Sequence, residues 1–170
     1  MDVGRNAVKA NDHDKAIKYF TNAISWDSTN AKAYILRGHE YDKKGQSELA
    51  ILDFNKAISL EPNNAEVYFF RGFSYLVART DGSTHPENAI KDFTKSLELK
   101  KDVADVYFFR ALAYSKHKEY IKAIADYKKF IVLRHGKVDT RVDIAHEKIN
   151  FFEQELQDKN NNTSKQKPYY

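Results

Sequence analysis

The strongest constraint on the fold of this chain is an internal repeat. Residues 31–41, 65–75 and 104–114 align without gaps as one motif, Ala-x-x-Tyr-x-x-Arg-Gly/Ala-x-x-Tyr. A second shared block follows each copy, at 50–57, 89–96 and 123–130. One more copy of this block precedes the first motif, at 16–23. The first two copies of the leading motif begin 34 residues apart. This spacing is typical of helix-turn-helix units that stack into a solenoid.

The spacing inside each copy predicts helices. The shared positions of the first full copy fall at i, i+3, i+4 and i+7 and so form one stripe of a helix: Tyr34, Arg37, Gly38 and Tyr41. Small residues at Gly38 and Ala50 would let paired helix backbones approach closely. Only six glycines and three prolines interrupt the 170 residues, which argues against a fold with many turns. We therefore predict an all-α fold.

The repeat resembles the tetratricopeptide repeat over roughly residues 3–157. Seven positions of that family's pattern have matching residues in the copy at 31–64, namely Tyr34, Gly38, Tyr41, Ala50, Phe54, Ala57 and Pro62. The resemblance implies a right-handed α-solenoid of antiparallel helix pairs. We expect helices at 31–44 and 47–60, at 65–79 and 86–99, and at 104–117 and 120–133.

The repeats divide the chain into a repeat domain and a tail. We expect a tetratricopeptide-repeat domain over 1–157 and a flexible polar tail over 158–170, which has too little apolar content to fold. Within the domain we predict an incomplete repeat at 1–30, which begins inside its first helix. Three repeats follow, at 31–64, 65–103 and 104–137, and a C-terminal capping helix occupies 138–157.

One repeat contains an insertion. The copy at 65–103 is five residues longer between its two helices than the copy before it, and the extra residues lie within 79–88. We predict that Pro86 opens the next helix after a cap at Ser83 or Thr84.

Arginine and aspartate occur together in three copies. The arginine occupies a place beside the core where the family usually has leucine. The aspartate directly precedes the aromatic residue of the second helix. The three pairs are Arg37 with Asp53, Arg71 with Asp92, and Arg110 with Asp126. The first copy lacks both. Because a charge beside the core needs a partner, we predict structural salt bridges within each repeat.

The resemblance also implies a concave groove lined by the first helix of each repeat. At the family's groove positions this chain has mostly apolar side chains, at Ile35, Leu36, His39, Phe69, Phe70, Phe73, Phe108, Phe109 and Leu112. An exposed aromatic surface of this kind usually marks a binding site. We predict that its centre is Phe69, Phe73, Phe108 and Leu112, although some of these side chains are expected to pack neighbouring repeats.

A well-known groove of this family grips the acidic C-terminal tail of a chaperone with lysine, asparagine and arginine. If the five clamp positions are counted from the first copy of the repeat, this chain has Met1, Arg5, Leu36, Glu66 and Phe70 there. If they are counted from the second copy, it has Ile35, His39, Phe70, Asp105 and Phe109. Neither set forms such a clamp. We therefore expect a ligand other than a chaperone tail.

The sequence offers no support for catalysis. It has no phosphate loop, nucleophile elbow or kinase signature, and its six histidines lack the spacing of a helical zinc site. We predict no enzyme activity, cofactor or bound metal. The positive charges are dispersed, which argues against nucleic acid as a partner, and no apolar run is long enough for a membrane span. The absence of cysteine suits a reducing compartment, so we expect a cytoplasmic protein.

We interpret the chain as an adaptor or scaffold that binds a peptide or amphipathic helix in its groove. The alternative is a self-assembling scaffold, in which the incomplete first repeat exposes the apolar side of the helix at 16–26 and pairs with another subunit. RNA binding is a third hypothesis that rests on the isoelectric point alone.

Overall fold

The computed structural model describes residues 12–78 and 85–165, with side chains as far as Asn161. This described part contains eight helices and no strand. They are α1 His13–Trp26, α2 Ala31–Lys43, α3 Ser47–Leu60, α4 Ala65–Val77, α5 Pro86–Leu99, α6 Ala104–Lys116, α7 Tyr120–Arg134 and α8 Arg141–Lys165. The predicted pairs are confirmed, because α2 packs on α3, α4 on α5 and α6 on α7. These six helices begin at the predicted residues, and their C-terminal ends differ from the predicted ones by at most two residues.

The chain forms two compact units, one ending at Lys101 and the other beginning at Asp102. In the first unit, glycine allows close contact between the helices of a pair. A Cβ atom on Gly38 would lie 2.8 Å from Cε1 of Phe54, and one on Gly72 would lie 2.9 Å from Cε1 of Phe93. Both distances are shorter than normal van der Waals contact. The phenylalanine rings therefore occupy the space that the missing side chains leave.

The second unit has a core shared by α6, α7 and α8. Phe108 and Ala111 of α6 and Tyr127 and Phe130 of α7 are buried together with a stripe of α8, formed by Ala145, Ile149 and Phe152. The helix that we predicted as a cap thus covers the apolar side of α7. The ring of Tyr120 stacks on that of Phe152, with centroids 4.8 Å apart.

The helix α8 is longer than the sequence suggested. It continues to Lys165, so residues 158–165 are helical and the prediction of a flexible tail from 158 is wrong for them. Two contacts involve the first residues of this extension. The Gln154 amide donates to the Asp158 carboxylate at 3.0 Å, and the Lys159 ammonium lies 5.0 Å from the centre of the Tyr120 ring. Residues 166–170 lie outside the described part.

Two further predictions fall on or beside residues that the structure does not describe. The start of the incomplete first repeat, at 1–11, lies outside the described residues, as do Ser83 and Thr84. Pro86 does begin α5, but the capping position is occupied by His85, whose side chain forms no capping hydrogen bond. The predicted cap at Ser83 or Thr84 thus falls on residues outside the described part.

Candidate functional site

The predicted groove residues of the first unit lie on α2 and α4, which contact each other. Ile35, Leu36 and His39 project from α2 and Phe69, Phe70 and Phe73 from α4, and all six are partly exposed. The His39 and Phe70 rings meet edge to face, with centroids 3.9 Å apart. The structure thus brings apolar groups of two successive first helices together.

Several of these side chains also pack helices. Phe70 stacks on Phe54 of α3 with ring centroids 6.1 Å apart, and Phe69 lies 5.9 Å from Phe93 of α5. Leu36 contacts the buried side of α1 at Phe20. These residues therefore form a surface whose inner side belongs to the core, as in a groove floor.

The His39 side chain contributes little charge to this surface. Burial lowers the pKa of His39 to about 4, and the positive charge of Lys43 adds to this effect. His39 is therefore neutral at pH 7 and packs like an aromatic side chain between Phe54 and Phe70.

In the second unit, the structure does not bring all predicted groove residues to the surface. Phe108 is only 7% exposed, because its ring packs 5.0 Å from that of Phe130 and the Arg141 guanidinium lies 5.4 Å from its centre. Its assignment to the groove surface is wrong, and Phe108 belongs to the core. Phe109 and Leu112 are partly exposed.

The apolar side of α1, which the self-assembly alternative expects to be exposed, is partly buried. Ala16 is fully buried and Phe20 is 4% exposed. Trp26, at the end of α1, is 90% exposed, but it does not continue the buried stripe. Self-assembly through this helix therefore cannot use Ala16 or Phe20, and otherwise it stays a prediction.

Sequence reasoning missed a carboxylate beside the groove floor. Asp42, near the end of α2, accepts a hydrogen bond from the Ser74 hydroxyl of α4 at 2.6 Å, while its Oδ1 atom is buried and has no hydrogen-bond partner among the described residues. Burial raises the pKa of Asp42, against the opposing effect of the hydrogen bond from Ser74. The sequence did contain a signal for this carboxylate. Asp42 occupies one of the family's groove positions, where the next copy has the apolar Leu76.

Asp42 should make stability depend on pH. Its pKa in the folded state is raised, so the ionised form opposes folding at neutral pH, and this penalty decreases as pH falls through the folded pKa. Relative to Asp42→Asn, which cannot ionise, the wild type should therefore gain stability between pH 7 and pH 4. Urea unfolding of both proteins at several pH values tests this. A stability difference that does not change with pH would contradict it.

The structure places each predicted arginine and aspartate together. Arg37, Arg71 and Arg110 each donate through Nε and Nη2 to both carboxylate oxygens of Asp53, Asp92 and Asp126, respectively, at 2.7–2.8 Å. For Arg71, burial alone would lower its pKa, but Asp92 outweighs burial and raises it. These are fork-to-fork pairs, the strongest geometry available to the two groups.

Tyrosine rings flank the arginines. The Arg37 guanidinium carbon lies 5.7 Å and 5.9 Å from the ring centres of Tyr34 and Tyr41, and Arg110 has the same relation to Tyr107 and Tyr114 at 5.6 Å and 5.8 Å. The repeat's tyrosines thus provide cation–π contacts in addition to packing.

A third contact of these arginines was not foreseen from the sequence. Nη1 of Arg37 donates to Thr21 of α1 at 3.0 Å, and Nη1 of Arg71 donates to Asn55 of α3 at 2.6 Å. Both acceptors follow the aromatic residue of the preceding second helix. Arg37 and Arg71 therefore each join the two helices of their own repeat and the last helix of the repeat before it.

The described part of the chain shows no metal centre or membrane span. No group of three or more histidine, aspartate or glutamate side chains there could hold a metal ion. None of its helices has the length and apolar composition that crossing a membrane requires.

Comparison with known proteins agrees with this geometry. Two family profiles, both described as tetratricopeptide repeat, match residues 31–64 and residues 2–30 and 104–133. No curated protein sequence matches the chain.

Solved structures share the fold. A crystal structure of MamA superposes with a TM-score of 0.81 at 24% identity, covering 92% of this chain and 86% of that one. The first TPR of Spaghetti (RPAP3), bound to the HSP90 peptide SRMEEVD, gives 0.64 at 21% identity, covering 77% and 96%. The Arabidopsis OM64 TPR domain gives 0.63 at 22% identity, covering 73% and 94%. The described helices thus have the all-α architecture of a tetratricopeptide-repeat solenoid.

Proposed function

The chain belongs to the tetratricopeptide-repeat family, and from this premise we propose that it is an adaptor that binds a peptide or an amphipathic helix. The ligand lies along α2 and α4 and is held by apolar side chains rather than by a clamp for carboxylates. The adaptor catalyses no reaction.

The apolar surface of α2 and α4 carries this proposal. Six predicted groove residues there are partly exposed, and the one that can ionise, His39, is neutral at pH 7. Packing of one helix pair needs only the stripe that includes Gly38 and Tyr41. A second apolar stripe on the same helices is what a groove for an apolar ligand requires.

The composition of this surface favours a ligand different from that of RPAP3, whose structure contains an HSP90 peptide. A peptide such as SRMEEVD is acidic and needs cationic partners. Here the corresponding first helices present Leu36 and Phe70, together with the acidic Glu66. Leucine, isoleucine or phenylalanine side chains spaced at i, i+3 or i+4 on a ligand helix would match this surface better.

Phe73 should be required for binding. In a ligand selected from a displayed library of amphipathic helices, Phe73→Ala should weaken binding by about 2 kcal/mol or more, roughly 30-fold, because truncation of a central aromatic anchor removes its desolvated contacts. Isothermal titration calorimetry with the wild type and the variant measures this difference.

Two control variants separate binding from stability. Lys32→Ala changes an exposed side chain of α2 and should leave both affinity and melting temperature unchanged. Phe108→Ala removes a core side chain and should lower the free energy of unfolding by about 3–5 kcal/mol. If Phe73→Ala instead lowers the melting temperature as Phe108→Ala does and retains the affinity, the proposed groove is core and the proposal fails.

A further inference from the structure

The helix α8 has a second apolar stripe besides the one that covers α7. Ile144 is 43% exposed and Phe151 is 56% exposed. Because they are seven residues apart, they lie on the same side of the helix, two turns from each other. Neither belongs to the core of the second unit, whose α8 members are Ala145, Ile149 and Phe152.

The charges between these two residues are arranged symmetrically. Glu147 and Lys148 are adjacent, exposed and opposite in charge, and neither forms an ion pair within the described part of the chain. They occupy the middle of the interval from Ile144 to Phe151. Along the chain, the stripe has an apolar, an acidic, a basic and an apolar side chain. In an antiparallel second copy this order is reversed, so each acidic side chain lies opposite a basic one and each apolar side chain opposite an apolar one.

We propose that this stripe, defined by Ile144, Glu147, Lys148 and Phe151, pairs α8 with α8 of a second copy of the chain. The two helices are antiparallel, and the twofold axis passes between residues 147 and 148. In this register Ile144 faces the partner's Phe151, and Glu147 faces the partner's Lys148. Each contact occurs twice, as in any isologous interface.

Charge complementarity is what selects a second copy as the occupant. A parallel pairing in register would place Glu147 beside the partner's Glu147 and Lys148 beside the partner's Lys148, and like charges at such positions repel. The antiparallel pairing replaces both repulsions by attractions while keeping the two large apolar side chains in contact.

The contact is small, so the dimer is weak. Only two large apolar side chains per copy are covered, which corresponds to the low end of specific interfaces, and we expect a dissociation constant of about 10–100 μM. The proposed ligand surface lies on α2 and α4, so dimerisation and ligand binding can be tested independently.

The experiment is sedimentation velocity of the full chain from about 1 to 500 μM, the range that brackets this dissociation constant. The wild type should change from monomer to dimer over this range. Lys148→Glu, which places a glutamate opposite the partner's Glu147 in both equivalent contacts of the dimer, should weaken dimerisation at least tenfold. The double variant Glu147→Lys, Lys148→Glu restores opposite charges and should dimerise within about threefold of the wild type.

Melting curves provide the control for folding. The substituted charges are exposed, so the melting temperature of the monomer should be unchanged in both variants. Phe151→Asn should also weaken the dimer at least tenfold. A wild type that stays monomeric at 500 μM overturns the proposal. So does a dimer that is unaffected by Phe151→Asn, or one that is lost equally in the single and the double charge variant.

Discussion

Replacing Asp92 by alanine is expected to lower the free energy of unfolding by about 3–5 kcal/mol. The Asp92 side chain is 4% exposed and that of Arg71 is 19% exposed, and the two form two parallel hydrogen bonds of 2.7 Å. Without the carboxylate, the guanidinium remains between α4 and α5 with its charge uncompensated. That loss is a large part of the total stability of a domain, which is typically 5–15 kcal/mol.

Denaturant unfolding of the wild type and the Asp92→Ala variant measures this loss. Glu98→Ala is the matched control on the same helix, because it removes an exposed pair with Lys95 whose nitrogen and oxygen are 3.1 Å apart. It should cost at most about 1 kcal/mol. Replacing both Arg71 and Asp92 by leucine should be less harmful than Asp92→Ala alone, since no unpaired charge is left. If Asp92→Ala proves as mild as Glu98→Ala, the pair has no structural role.

The helix pairs and their arginine–aspartate contacts could be predicted because both depend on local spacing. Copies that share a motif must place its residues in equivalent positions, so the shared presence of Arg71 and Asp92 implied that they meet. The contact of Arg71 with Asn55 was not predictable in the same way. It joins one repeat to the one before it, and an asparagine at that place has no sequence signal that distinguishes it from an ordinary surface residue.

The groove was harder to predict because exposure depends on neighbouring repeats. Phe69 and Phe108 occupy the same position in their copies, yet Phe69 is partly exposed whereas Phe108 is buried. The difference arises at α8, where Arg141 covers the ring of Phe108. The α8 helix lacks the repeat motif, so comparison of the copies could not place its side chains. The same applies to the residues after 157, where Lys159 contacts the ring of Tyr120.

Truncation after Gly136, which removes α8, is expected to prevent stable folding of the second unit. Ala145, Ile149 and Phe152 are each no more than 6% exposed, and they cover Tyr127 and Phe130 of α7. Each fully buried large apolar side chain contributes about 1.5–3 kcal/mol, and the truncation removes two of them while exposing their partners. A loss of about 5 kcal/mol or more follows, which is comparable to the whole stability of a small domain.

A shorter truncation, after Gln157, is the matched control. It keeps the stripe that covers α7 and removes the polar end of α8, including the contact of Lys159 with Tyr120, which is worth about 0.5–1 kcal/mol. We expect this protein to melt within a few degrees of the full chain, and the one ending at Gly136 to aggregate or to lose the folding transition of its second unit. Hydrogen exchange of α6 and α7 distinguishes the two outcomes directly. If α7 stays as protected after the longer truncation as in the full chain, α8 is not required to cover the core.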